Sequence, residues 1–172
     1  MDALEIKGLI VKETRHRRLG NSLVVVAAKD SVALQSSSNL TNAAIQRLAL
    51  GDPKTVPAGT YAKAWLEKSG LWPSVQGKVI PCESVRAVLA AVESGNVDAG
   101  VVYKTDAAIS REVRVVFEVP AAEAPKIFYP AALLKGRPSP ERARKFLDYL
   151  MGDAAGVVFA QHGFALIRAN SE

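Results

Sequence analysis

The stretch Gly51-Asp52-Pro53-Lys54-Thr55-Val56-Pro57-Ala58-Gly59-Thr60-Tyr61-Ala62 is the part of this chain best suited to chemistry. It follows the apolar run Leu48-Ala49-Leu50 and precedes a helical pattern. It is therefore a loop feeding a helix N-terminus, where backbone N–H groups without intrahelical acceptors point outward and can hold an anion. No Lys-Ser/Thr pair directly follows Gly59, whose next residues are Thr60 and Tyr61, so it is not a nucleotide P-loop. The combination suggests an oxyanion receptor. Two other positions are of the same kind: the helix start after Ser84, and Tyr103 at the end of a strand.

Other chemistry finds little support. Cys82 is the only cysteine, so no intrachain disulfide can form, and its expected role is small buried filler. His16 and His162 share no metal-ligand spacing, which argues against zinc and any metal held by side chains. There is no Gly-x-Ser-x-Gly elbow, no clustered acid–base pair and no His/Cys dyad. The chain is thus expected not to be an enzyme.

The elements that must position these residues follow from patterning. Positions 2–19 read as a helix with a charged exit. Leu23-Val24-Val25-Val26 is a continuous apolar run typical of a buried strand. Ser31 to Asn42 is a polar loop in which Asn39 or Thr41 can cap a short helix through Gln46. Strands are expected at Leu48–Leu50, Lys78–Ile80, Ala99–Tyr103, Val113–Val119, Ile127–Leu134 and Phe164–Ile167. Pro130 marks an edge or hinge position. Helices are expected from Ala58 to Ser69, from Ser84 to Gly95, as a short turn at Thr105-Asp106, from Pro138 to Leu150 with Ala143, Phe146, Leu147 and Leu150 inward, and from an Asp153 cap to Gln161. Strands alternating with helices indicate an α/β fold with a largely parallel sheet, whose ligands sit at strand C-termini and helix N-termini.

The formal charge is +5, with Lys12, Arg15, Arg17 and Arg18 contributing. No aromatic interleaving or recognition motif accompanies these residues, so they read as a solvated helix face rather than a nucleic-acid patch. No stretch approaches about 18 uninterrupted apolar residues, so no membrane-spanning helix is expected. Met1-Asp2-Ala3-Leu4-Glu5 does not have the pattern of a signal peptide.

Three blocks of sequence resemble the periplasmic molybdate-binding proteins of ABC importers. They are Leu19-Gly20-Asn21-Ser22-Leu23-Val24-Val25-Val26-Ala27, the Gly51-Asp52-Pro53 to Tyr61-Ala62 stretch, and Gly100-Val101-Val102-Tyr103 with Thr105-Asp106-Ala107. Glu83-Ser84-Val85-Arg86 and Gln161-His162-Gly163-Phe164 add to the match. The resemblance implies a type II periplasmic binding protein fold of two lobes joined by crossing strands, near Asn21–Val26 and Phe128–Ala132. Positions 1–20 would be a remnant of the first lobe, 21–130 the second lobe with its hinge strands, and 131–172 the C-terminal part of the first lobe. The ligand would be molybdate or tungstate, held by the backbone N–H of Ala58, the backbone N–H of Val85 and the phenol O–H of Tyr103, with no cofactor. The partner would be the importer's membrane permease, and the location periplasmic.

Taken singly, each of these residues also suits a structural role. Tyr103 fits an amphipathic core position, Val85 the first core position of its helix, and Pro57-Ala58-Gly59 an ordinary helix start. The resemblance further implies a signal peptide and a first-lobe segment carrying two ligand-shell serines, for which this chain shows no counterpart. Ser36, Ser37 and Ser38 fall in a second-lobe loop and do not replace them. Weakened binding, or a non-binding remnant, is the expectation that follows. An oxyanion-sensing domain of a regulator is the other alternative, but no helix-turn-helix segment is evident.

Overall fold

A computed structural model describes residues 1–31 and 34–167, so positions 32 and 33 of the Ser-rich loop and the last five positions of the chain lie outside the described residues. In chain order the elements are α1 (Asp2–Ile6), β1 (His16–Asn21), β2 (Leu23–Ala28), β3 (Leu48–Gly51), α2 (Pro57–Lys68), α3 (Trp72–Val75), β4 (Val79–Cys82), α4 (Val85–Glu93), β5 (Ala99–Tyr103), α5 (Lys104–Ala107), β6 (Val113–Glu118), β7 (Ile127–Ala131), α6 (Pro140–Met151), α7 (Asp153–Gln161) and β8 (Ala165–Leu166). They divide into two compact units, Ser22–Lys126 and the remainder, which comprises Met1–Asn21 and the chain from Ile127 onward.

The Ser22–Lys126 unit is built on a five-stranded sheet of order β4-β3-β5-β2-β6. Residues Leu23 to Ala27 of β2 and every residue of β3 are buried, which requires cover on both faces of the sheet. The pairs β3–β4 and β3–β5 are parallel, whereas β2 runs antiparallel to both its neighbours, β5 and β6. The sheet is therefore mixed: the one strand entering directly from the other unit is inserted against the direction of the rest. On one face, Val88 and Val92 of α4 pack with Val24, Val26, Ala49 and Val102. Trp65 of α2 is fully buried, its ring 5.8 Å from that of Phe117, and its indole N–H donates to Glu123 at 3.3 Å.

Close contacts at glycine fix the helices to this sheet. A Cβ at Gly59 in the first turn of α2 would lie 1.8 Å from the carbonyl oxygen of Gly51. A Cβ at Gly100 of β5 would lie 2.7 Å from Val88 Cγ1 and 2.9 Å from Val92 Cγ2. Neither site has room for a side chain.

The other unit carries a three-stranded antiparallel sheet of order β7-β1-β8. Here the sequence expectation of a helix over 2–19 is corrected. The helix ends at Ile6, Gly8 turns the chain at a φ of +66°, and His16–Asn21 is a strand hydrogen-bonded on both sides. Pairing with two strands remote in sequence overrides local helix propensity. The basic residues are accordingly not a helix face. Arg15 pairs with Asp2 and Glu5, Arg17 lies over the Phe128 ring, and Arg18 donates to the Gly152 carbonyl at 3.0 Å.

Several smaller expectations also shift. Strand β7 is an edge strand containing Pro130, but it stops at Ala131 rather than Leu134. The Ser-rich loop forms a short 3-10 turn, Ser37–Thr41, capped by Ser36 rather than by Asn39 or Thr41. The Asn39 side-chain oxygen instead accepts from the backbone N–H groups of Gln35 and Ser36. Helix α7 is preceded by Gly152 at its N-cap, with Asp153 one position inside. On α6, Leu147 is buried while Phe146 is 62% exposed. An apolar cavity of about 420 Å³ opens beside it, lined in part by Val11, Leu133, Leu147 and Leu150. Among the described residues no helix is long and apolar enough to cross a membrane.

Gly59→Ala is expected to lower stability by about 1–3 kcal/mol, because the clash is with backbone and cannot relax by rotation. Gly77→Ala, at a glycine with open space around it, is expected to stay within about 0.5 kcal/mol of the parent. Urea unfolding of both variants measures the difference.

Candidate anion-binding site

Strands β3, β4 and β5 of the Ser22–Lys126 unit run in one direction and end at one edge of their sheet. Gly51 of β3 is opposite Cys82 of β4, and Ala49 is opposite Gly100 of β5, so Tyr103 closes β5 at that same edge. The helix starts that follow β3 and β4 lie at this edge as well. Ala58, Val85 and Tyr103 are thus brought to one end of one sheet, all within one unit.

Each donor has a local cause. The loop after β3 satisfies itself: the Asp52 N–H donates to Cys82 O at 2.8 Å, the Val56 N–H to Asp52 O at 2.8 Å, and the Lys54 N–H to the Asp52 carboxylate at 2.9 Å. The Thr60 hydroxyl donates to Pro53 O at 2.9 Å, tying the loop to the first turn of α2. The N-cap is Val56, which offers no side-chain acceptor, and Pro57 has no N–H. The first N–H of the helix is therefore that of Ala58, a buried residue, and it has no intrahelical acceptor.

Helix α4 starts differently. Ser84 is its N-cap in extended conformation, and its Oγ accepts from the Ala87 N–H at 3.1 Å. That bond satisfies the third helical position and leaves Val85 and Arg86 as the leading donors, where the macrodipole favours negative charge. Tyr103 is half-buried, paired with Leu23 of β2, and stands at the N-cap of α5.

The titratable groups at this edge do not resemble an acid–base or nucleophilic centre. Burial first, and then the neighbouring Glu83, push the Cys82 thiol up, away from the thiolate. Burial raises the Asp106 carboxyl, partly offset by the Arg86 guanidinium. Among the described residues no three His, Cys, Asp or Glu side chains are grouped so as to hold a metal ion. The donors are backbone N–H groups at helix starts and a phenol. Together they can accept a small anion without transferring charge or bonds to it.

Sequence reasoning overlooked the residues that hold this edge together. The Gly51–Gly59 contact was visible only as two glycines flanking a loop. Arg86 and Asp106 are far apart in sequence, and their mutual influence depends on α4 packing beside α5.

The description "bacterial extracellular solute-binding protein" matches residues 1–165. The chain belongs to that family. It is 42% identical over 171 residues to the molybdate-binding protein ModA of Escherichia coli (strain K12), covering 96% of this chain and 66% of that protein. It is 42% identical over 158 residues to the lipoprotein YvgL of Bacillus subtilis (strain 168), covering 91% of this chain and 60% of that protein. The chain thus spans about two thirds or less of the length of these curated relatives. A substrate-binding domain from Clostridium difficile shares its fold with a TM-score of 0.87 and 28% identity, over 98% of this chain and 73% of that one. The α/β architecture is accordingly that of type II periplasmic binding proteins.

Ser84→Ala should cost about 1 kcal/mol through loss of the cap, read as a lower urea midpoint. The sign of the Asp106 effect is the reverse of the usual carboxylate. Its folded value lies above 3.8, so its contribution to stability is full below 3.8 and is lost as pH rises through the raised value. Asp106→Asn should therefore gain stability relative to the parent as pH rises from 3.8 upward, measured by unfolding across that range. A difference that stays constant with pH contradicts this.

Proposed function

We propose that this chain is the substrate-binding component of an ABC importer and that it holds molybdate through the Ala58 N–H, the Val85 N–H and the Tyr103 O–H. The observation that carries the reading is the convergence of two helix starts and Tyr103 at one edge of one sheet. The 42% identity to a protein named as molybdate-binding supplies the ligand. In this reading Ser22–Lys126 serves as the second lobe and the rest of the chain as part of the first. The protein works in the periplasm, performs no reaction, uses no cofactor, and delivers its oxyanion to a membrane permease.

Selectivity follows from the chemistry of the donors. A lining of N–H and O–H groups suits a fully deprotonated dianion. A protonated phosphate brings a proton that needs an acceptor, and here that proton would face another donor. Tungstate has the same charge and nearly the same size as molybdate, so the same donors accept it.

Thermal melts with molybdate, tungstate, sulfate and phosphate test the proposal. A ligand at 100 times its dissociation constant stabilises the fold by about 2.7 kcal/mol. Molybdate and tungstate should raise Tm while phosphate does not. Tyr103→Phe should weaken binding about tenfold to 150-fold, the worth of one hydrogen bond to a charged group. A cooperative melt that no anion moves would overturn the reading in favour of a non-binding remnant.

A further inference from the structure

A set of contacts joins the residues next to the Leu23–Tyr103 pair. The Ser22 hydroxyl donates to Glu118 Oε1 at 2.6 Å, and the Lys104 ammonium donates to Oε2 of the same carboxylate at 2.6 Å. The Lys104 backbone N–H donates to the Ser22 carbonyl at 2.9 Å, and the Val119 N–H to the Leu23 carbonyl at 2.9 Å. Leu23 is the residue paired with Tyr103. One carboxylate at the end of β6 therefore holds the residue that precedes Leu23 and the residue that follows Tyr103. The backbone positions that adjoin the Leu23–Tyr103 pair are tied to a single point, on the face of the sheet opposite the ring.

We propose that Glu118 is a positioning residue for Tyr103, setting the ring's place at the sheet edge through Ser22 and Lys104. The argument is one of magnitude and placement. The Glu118 and Lys104 side chains are 45% and 48% exposed, and an ion pair that exposed adds little to global stability. Its effect is instead local, because both carboxylate oxygens are engaged and both partners adjoin the Tyr103–Leu23 pair. The Lys104 ammonium, and then the Ser22 hydroxyl, hold the Glu118 carboxyl below its ordinary range, so the tie is intact at neutral pH. The carboxylate also occupies the cation next to Tyr103 in sequence. The donor set then stays neutral, as discrimination among anions by proton count requires.

The consequence for binding rests on Tyr103 being an anion donor, but the placement of the ring does not. The experiment therefore reads both. The full chain is labelled at the ring Cζ of its four tyrosines, and the Tyr103 signal is assigned by its loss in Tyr103→Phe. Glu118→Gln should shift that signal while Tyr61, Tyr129 and Tyr149 hold theirs, with little change in Tm. Molybdate affinity should fall about tenfold, the worth of roughly one charged hydrogen bond. Glu118→Asp should recover part of that loss. Adding Glu118→Gln to Tyr103→Phe should cost much less than tenfold, since the group being positioned is already gone. Lys104→Met breaks the same tie from its other end and should shift the same signal, which covers the case in which Glu118→Gln folds poorly. A shifted Tyr103 signal in a chain that molybdate does not stabilise supports the positioning role and removes the anion reading. A Tyr103 signal unmoved by both substitutions, or equal losses of affinity with and without the phenol hydroxyl, overturns the positioning role.

Discussion

Helix α2 can begin where it does only because two glycines meet. With the Gly59 Cβ position 1.8 Å from Gly51 O, any side chain at Gly59 would push the first turn away from the end of β3. The same approach brings the Gly51 backbone against Val56, the residue that caps the helix in place of a serine or aspartate. An apolar cap leaves the leading N–H groups without a side-chain acceptor, and the contact with β3 fixes their place. The donor geometry at Ala58 is thus a consequence of close packing between a strand end and a helix start, while Gly100 lets the body of α4 lie close on β5 through Val88 and Val92.

The forces that build this edge differ from those that would operate on a ligand. Burial supplies the scaffold: Val88 and Val92 of α4 and Trp65 of α2 lie against strands that have almost no exposed surface. The loop from Asp52 to Val56 bonds to itself and to Cys82, so ordering it costs little at the moment an anion arrives. Fixed dipoles that need not reorganise are the most effective way for neutral groups to stabilise charge. Exposed ion pairs contribute little to the fold by comparison, and those that are well placed matter through the geometry they impose.

What was legible in the sequence was whatever is decided locally. The Ser84 cap, the strand from Ala99 to Tyr103 and the β2 run could be read because capping and burial leave signatures within a few residues. Strand β1 could not. His16–Asn21 follows a stretch with helical character, and only its pairing with β7 and β8, more than a hundred positions away, makes it a strand. The insertion of β2 against its neighbours was hidden for the same reason, since strand direction is set by connection and not by composition. The places of Ala58, Val85 and Tyr103 in the fold were legible as two helix starts and a strand end. The Ser22–Glu118–Lys104 tie was not, because Glu118 stands 96 and 14 positions from its two partners and lies in no motif.

The separation between neutral donors and nearby charge links these observations. A chain of net charge +5 has cations enough to attract anions of every kind to its surface. Attraction of that sort does not discriminate, since phosphate, sulfate and molybdate all respond to a free ammonium. At this edge Lys104 is held by Glu118, and the Arg86 guanidinium acts on the Asp106 carboxyl. In the proposed site the donors would be backbone N–H groups at helix starts, whose positions are fixed by packing, together with the Tyr103 phenol. Selectivity in such a site would come from the number and direction of donors, and the Lys104–Glu118 pair keeps one adjacent ammonium from adding an indiscriminate attraction.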